Sequence, residues 1–150
     1  MNSSKKIGTV MMVATSVLIL AVVLMTIFLI WQMLHSPSLY ITLLYHARFG
    51  IAALIISGSA ATWFLTELLL IMNRVRLGKA FSTKTVSSLR HMAICCIIAC
   101  AAFAMLAIEI QTLTYGICAG ILAFGALAVF TLACVFKEAV SYKEENDLTI

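Results

Sequence analysis

From Met92 to Phe136 the chain runs for 45 residues with one charged side chain, Glu109. As a single helix that run would measure about 68 Å, roughly twice the thickness of a bilayer's hydrocarbon core. It therefore has to fold back on itself. The midpoint is Thr114, among Gln111, Thr112, Tyr115 and Gly116, the polar and flexible residues that a turn uses. The expected hairpin has one helix ending near Leu113 and the next beginning near Gly116.

Two more apolar runs precede it. Ile7–Leu34 gives 28 uncharged residues and stops at His35-Ser36-Pro37, where proline interrupts helical hydrogen bonding. A cleaved leader has an apolar core of about 7–15 residues followed by a small-residue site. Trp31, Gln32, Met33 and Leu34 offer no such site, so the run is read as a retained helix. Phe49–Asn73 is broken only by Glu67. The expectation is a single all-α membrane domain with spans near 7–34, 49–73, 91–113 and 116–136. A loop at 74–90 and a tail at 137–150 complete it.

Composition fits lipid as the surrounding solvent. Charged residues make up 11% of the chain and hydrophobic ones 63%, against about 25% charged in a soluble domain. The net charge of +4 is scattered between apolar runs. A nucleic-acid binder concentrates its charge on one face, so direct nucleic-acid contact is not expected.

The distribution of Lys and Arg sets the topology. Lys5, Lys6, Arg74, Arg76, Lys79, Lys84, Arg90, Lys137 and Lys143 fall on one side of the four spans, and Arg48 alone on the other. Basic residues are retained on the cytoplasmic side, so both termini are expected in the cytoplasm. Trp31, Tyr40, Tyr45 and Tyr115 then collect at the outer interface, where amphipathic rings are favoured.

Small residues allow helices to approach closely in lipid. Gly116 and Gly120 form a GxxxG pair on the fourth helix, and Cys96, Cys100 and Ala104 form a small stripe on the third. These two helices are expected to pack tightly on each other through those residues. All five cysteines lie in apolar stretches and read as packing residues, not as a disulfide framework.

The residues that could carry chemistry are few. Glu67 and Glu109 are intramembrane acids, each a functional hypothesis in its own right. Glu109 lies about one turn from the outer turn, and Glu67 shares a helix face with Arg74 at i+7, so structural roles compete strongly. They lie at opposite depths and form no dyad. His91 and Cys95 are one turn apart, but neither CxxC nor HxxxH is present, and a metal site needs three or four convergent ligands. No metal, cofactor or catalytic residue is expected, and the chain reads as non-enzymatic.

The cytoplasmic face is more distinctive. Gly78 supplies a turn, and Ser82 or Thr83 is a candidate N-cap for a helix starting at Lys84. The tail holds Glu138, Glu144, Glu145 and Asp147, opposite a basic loop. Exposed pairs contribute only about 0–1 kcal/mol each, so docking the tail would also need burial of Leu148 and Ile150.

At these segments the chain resembles the small bacterial multi-pass proteins grouped as DUF2975. The resemblance rests on Gly78-Lys79-Ala80-Phe81, on Leu89-Arg90, and on Phe136, Glu138 and Glu144 through Ile150. By layout it extends over the whole chain, and the tail is its specific part. Ala139 and Tyr142 depart from the glycine and smaller aliphatic residue of the pattern. The resemblance implies a four-helix protein of the bacterial cytoplasmic membrane with no assigned activity, similar in setting to membrane proteins encoded beside small helix-turn-helix repressors. The expected function is that of a regulatory or immunity-type accessory protein. Its partner residues would be Gly78, Phe81, Arg90, Glu144, Glu145, Asn146, Asp147 and Leu148. The expected partners are lipid and a cytoplasmic regulator protein, and a homo-oligomer is compatible with the sequence. The alternative is a small transporter or channel subunit using Glu67.

Overall fold

The computed structural model describes residues 2–35, 44–78, 81–111 and 113–148. Side chains are described for 9–32, 35, 50–78, 81–109, 111, 113–143, 145 and 146. Four helices account for nearly all of them: α1 (Asn2–His35), α2 (Leu44–Arg76), α3 (Thr83–Ile110) and α4 (Leu113–Leu148). Each contains a stretch long and apolar enough to cross a membrane. Tyr40, Tyr45, Lys79, Ala80, Thr149, Ile150 and the break at Ser36-Pro37 lie outside the described residues or side chains.

Successive helices are antiparallel. Thr15 of α1 meets Met72 of α2 through a 3.5 Å hydroxyl–sulfur contact, and Thr26 meets Gly58. Between α2 and α3, Ala53 packs with Ala102 and Leu106, and Ala60 with Cys95 and Ala99. Between α3 and α4, the Cys100 thiol donates to the Ala119 carbonyl at 3.3 Å, and the Phe103 and Tyr115 rings stack at 6.5 Å. The main contacts join sequence neighbours only, α1 to α2, α2 to α3 and α3 to α4. The helices thus stand in a row, with α3 the most enclosed and α1 the least. Both chain ends and the α2–α3 connection share one end, the charged end.

The seams repeat every seven residues. Thr85, Met92, Ala99 and Leu106 are buried along α3, and so is a second file of Ser88, Cys95 and Ala102. Opposite them α2 buries Ala53, Ala60 and Glu67, while α4 buries Ala119, Ala126, Ala133 and Val140. A seven-residue repeat keeps a seam facing its neighbour under a shallow left-handed crossing. Small side chains let the backbones approach, which is where packing attraction between helices arises in lipid.

Two expectations about α3 and α4 need correction. They are the most intimate pair, yet Gly116 and Gly120 lie off the seam. A Cβ added to either would meet nothing within 4 Å. A four-residue glycine repeat suits a right-handed crossing, whereas α4 packs through its seven-residue alanine file. Cys96 is half-buried, and only Cys100 of the expected set makes a polar contact across this interface. A glycine that does sit in close contact is Gly58, where an added Cβ would come within 2.7 Å of Thr26 Cγ2.

The second correction concerns boundaries. The turn falls at Gln111, which takes the left-handed conformation (φ 51°, ψ 35°) that closes α3, and Gly116 is already inside α4. Within 74–90, α2 runs on to Arg76 and α3 starts at Thr83, one residue before the helix expected from Lys84, and the segment read as a tail at 137–150 continues α4 to Leu148. Polar composition marks where a helix leaves lipid, but it does not end a helix whose backbone bonds remain satisfied.

Candidate functional site

The polar side chains that meet inside the bundle do so at the charged end of the α2–α3 seam. On α2, Glu67 and Arg74 extend the seven-residue file begun by Ala53 and Ala60, so both are presented to α3. Glu67 is 9% exposed. Its Oε1 shares a 3.0 Å hydrogen bond with His91 Nδ1 and accepts a longer one, 3.4 Å, from Trp63 Nε1 one turn earlier on α2. The Ser88 hydroxyl stands beside the Glu67 carboxylate. Arg74 donates from one guanidinium nitrogen to the Lys84 carbonyl and to Ser88 Oγ, both at 2.8 Å. Ser88, 3% exposed, thus accepts from the guanidinium and sits between it and the carboxylate.

This arrangement answers the cost of a carboxylate in an apolar helix. A buried acid without partners is strongly unfavourable; here three side chains on two helices surround it. The pairing also fixes its depth. His91 follows Arg90 directly, so Glu67 lies toward the charged end of the seam and not at its far end. Glu109 is at the other end of α3. It is exposed and borders a small hollow of about 60 Å³ with Ala52, Ile56 and Met105. Among the described residues no three of His, Cys, Asp and Glu converge.

Beyond the seam, the connection and the end of α4 form one packed unit. Asn73 and Val75 carbonyls accept from Leu77 and Gly78 at 3.1 and 3.0 Å, closing the last turn of α2. Gly78 then reverses the chain at φ 72°, a conformation open to glycine and strained for most other residues. Ser82 is the N-cap of α3, but its hydroxyl makes no capping bond to the backbone. It pairs with the Thr85 hydroxyl at 3.1 Å, while the Ser82 carbonyl receives the Thr85 amide at 2.9 Å. Phe81 stacks on Phe136 of α4, centroids 5.5 Å apart and planes 20° apart. One turn further on, Val140 is buried.

Of the residues expected to meet a partner, Gly78 shapes the turn and Phe81 joins the connection to α4. Arg90 lines a groove between α3 and α4, and Glu145 and Asn146 are exposed on the extension of α4. The side chains of Glu144, Asp147 and Leu148 lie outside the described ones, so the proposed pairing of acidic tail with basic loop does too. Sequence reasoning missed Ser88 and Trp63, and assigned His91 to a weak metal alternative. The signal was the matching seven-residue spacing of Glu67–Arg74 and of Ser88–Cys95.

Four apolar helices, of which α2 and α3 are joined by a polar lock, define a multi-pass membrane protein. The family profile described as a protein of unknown function (DUF2975) matches residues 48–150, and the chain belongs to this family. The match takes in α2, α3, α4 and the connection between α2 and α3, and leaves α1 outside. No curated protein and no solved structure matches the chain.

Proposed function

We propose that this protein is a non-enzymatic regulatory or immunity-type accessory protein of the bacterial cytoplasmic membrane. It acts through its charged end, which faces the cytoplasm, on a soluble regulator protein; the family's setting makes a small helix-turn-helix repressor the first candidate. One observation carries this reading. α4 runs unbroken to Leu148, about 17 Å beyond its first charged residue, Lys137. The packed connection holds the base of that extension through Phe81 and Val140. A preformed, anchored helix gives up less conformational freedom on binding than a disordered tail does. Its outward face carries Glu138, Tyr142, Glu145 and Asn146.

The test is co-purification from gently solubilised native membranes, using an N-terminal tag on the intact protein and on a form lacking residues 144–150. A defined soluble regulator retained only by the intact form is the expected outcome. Equal recovery of every protein by both forms, with normal abundance of the shortened chain, overturns the reading.

A second reading, a small transporter or channel subunit using Glu67, draws on one contact. The Glu67 carboxylate bonds a histidine whose side chain is 48% exposed, which gives a buried acid a protonatable route outward. Its position favours the first reading, because coupling sites in transporters lie near the bilayer midplane. Glu67→Gln in reconstituted vesicles decides it: a changed proton or ion flux supports transport, and unchanged flux removes it.

A further inference from the structure

A groove of roughly 370 Å³ opens between the first two turns of α3 and the point where α4 leaves its apolar run. Its walls carry Thr83, Ser87 and Arg90 from α3, and Lys137 and Ser141 from α4; Val86 and Val140 form the floor. Both valines are buried, at 8% and 5% exposure. The polar groups are two cations and three hydroxyls, with no acid among the lining residues. None of these five side chains is hydrogen-bonded or ion-paired to another described side chain. α3 opens beside the groove with no acidic residue in its first turn; Glu138 of α4 adjoins Lys137 but is not among the lining residues.

We infer that this groove binds the phosphate of an anionic phospholipid. The chemistry of the lining suits a phosphate: Arg90 offers a planar pair of donors, Lys137 a point charge, and the hydroxyls further donors to the remaining oxygens. Its location favours a lipid over a soluble phosphate. Lys137 is the first charge after the 113–136 apolar run of α4, so the groove lies at the level where phospholipid headgroups stand. Both walls continue into the bilayer as exposed apolar side chains on the same helix faces. On α3, one and two turns beyond Arg90, are Ile94 and Ile97, 52% and 58% exposed; on α4, two turns before Lys137, is Phe130, 55% exposed. A headgroup seated between Arg90 and Lys137 would lay its acyl chains along these residues. Basic pockets between helices at a membrane surface recognise anionic headgroups on the same principle.

The experiment is native mass spectrometry of the purified full-length protein, loaded in detergent with equal amounts of phosphatidylglycerol and phosphatidylcholine. Wild-type protein is expected to retain phosphatidylglycerol in preference. The double variant R90Q/K137Q should lose that preference by about thirtyfold, the effect of two basic side chains near the surface. K143Q, which removes a charge from the same end but not from the groove, should leave it within about twofold, since charges outside the groove act through solvent. All the substituted side chains are exposed, so circular dichroism should show unchanged helicity. Two results overturn the inference: equal retention by R90Q/K137Q and wild type, or an equal loss in K143Q, which makes the effect one of net charge. A third arm adds glycerol phosphate at millimolar concentration. Retention of lipid is expected, and displacement reassigns the groove to a soluble phosphate.

Discussion

The two halves of the α2–α3 seam solve one problem with different chemistry. Toward the far end, Ala53, Ala60, Ala99 and Ala102 bring the helices together through small apolar side chains. Toward the charged end, the same seven-residue files hold Glu67, Arg74, Ser88 and the neighbouring His91, and hydrogen bonds replace methyl contacts. The apolar half depends on side-chain volume, as at Ala60 and Ala99. The polar half depends on partners and tolerates changes of size that keep a donor or acceptor. Specific recognition between α2 and α3 therefore resides at the charged end, and close approach at the other.

The most severe way to break the comparison is Ala99→Phe. It places a ring where a methyl group is buried, and overpacking of this kind costs about 1–3 kcal/mol and occasionally more. The expected result is separation of α2 from α3, read as lowered resistance to SDS unfolding in bicelles. Wild-type resistance would mean that the apolar half is loosely packed. Next comes Gly58→Ala on the α1–α2 contact, where the new Cβ meets Thr26 at 2.7 Å. It should destabilise by about 1–2 kcal/mol, again by overpacking. Adding Thr26→Ala should restore most of that loss, and failure to do so would place the strain elsewhere.

A smaller effect is expected in the polar half. In a double-mutant cycle of Glu67→Gln with His91→Phe, the coupling should be about 0.6 kcal/mol and not above about 1.7, the range found for hydrogen bonds between membrane helices. A coupling of zero would reduce the 3.0 Å contact to mere proximity. Smallest of all is Gly120→Ala, which faces open space and should change stability by no more than about 0.5 kcal/mol in the monomer. A large loss from this change would instead reveal a neighbour on that face, such as a second copy of the chain.

How much of this the sequence disclosed depended on which physical rule applied. The number of spans and the hairpin between α3 and α4 were legible because bilayer thickness is a fixed ruler, and a run of 45 residues with one charge exceeds it. The helix ends were not. Gly116 has the chemistry of a turn, but the left-handed residue is Gln111, and a helix runs through polar residues as readily as through apolar ones where water takes its place beside them. The packing faces were misread because GxxxG is a local pattern, whereas the alanine file of α4 emerges only when positions seven apart are followed through Ala119, Ala126 and Ala133. Glu67 stood out by charge alone. Its bond to His91 joins residues 24 apart and required the register of α2 on α3, which no single residue specifies.

The turn at Gln111 has a bearing on how the protein reaches its membrane. α3 ends at Ile110 and α4 starts at Leu113, so almost no chain has to be delivered to the opposite compartment for this pair. Unpaired polar backbone is costly in lipid, and a turn this short leaves little of it between the two helices. The same brevity makes that rim a poor target. A protease added to the opposite compartment has no loop to cleave between α3 and α4, and an epitope inserted in this turn would need its own linker to be seen.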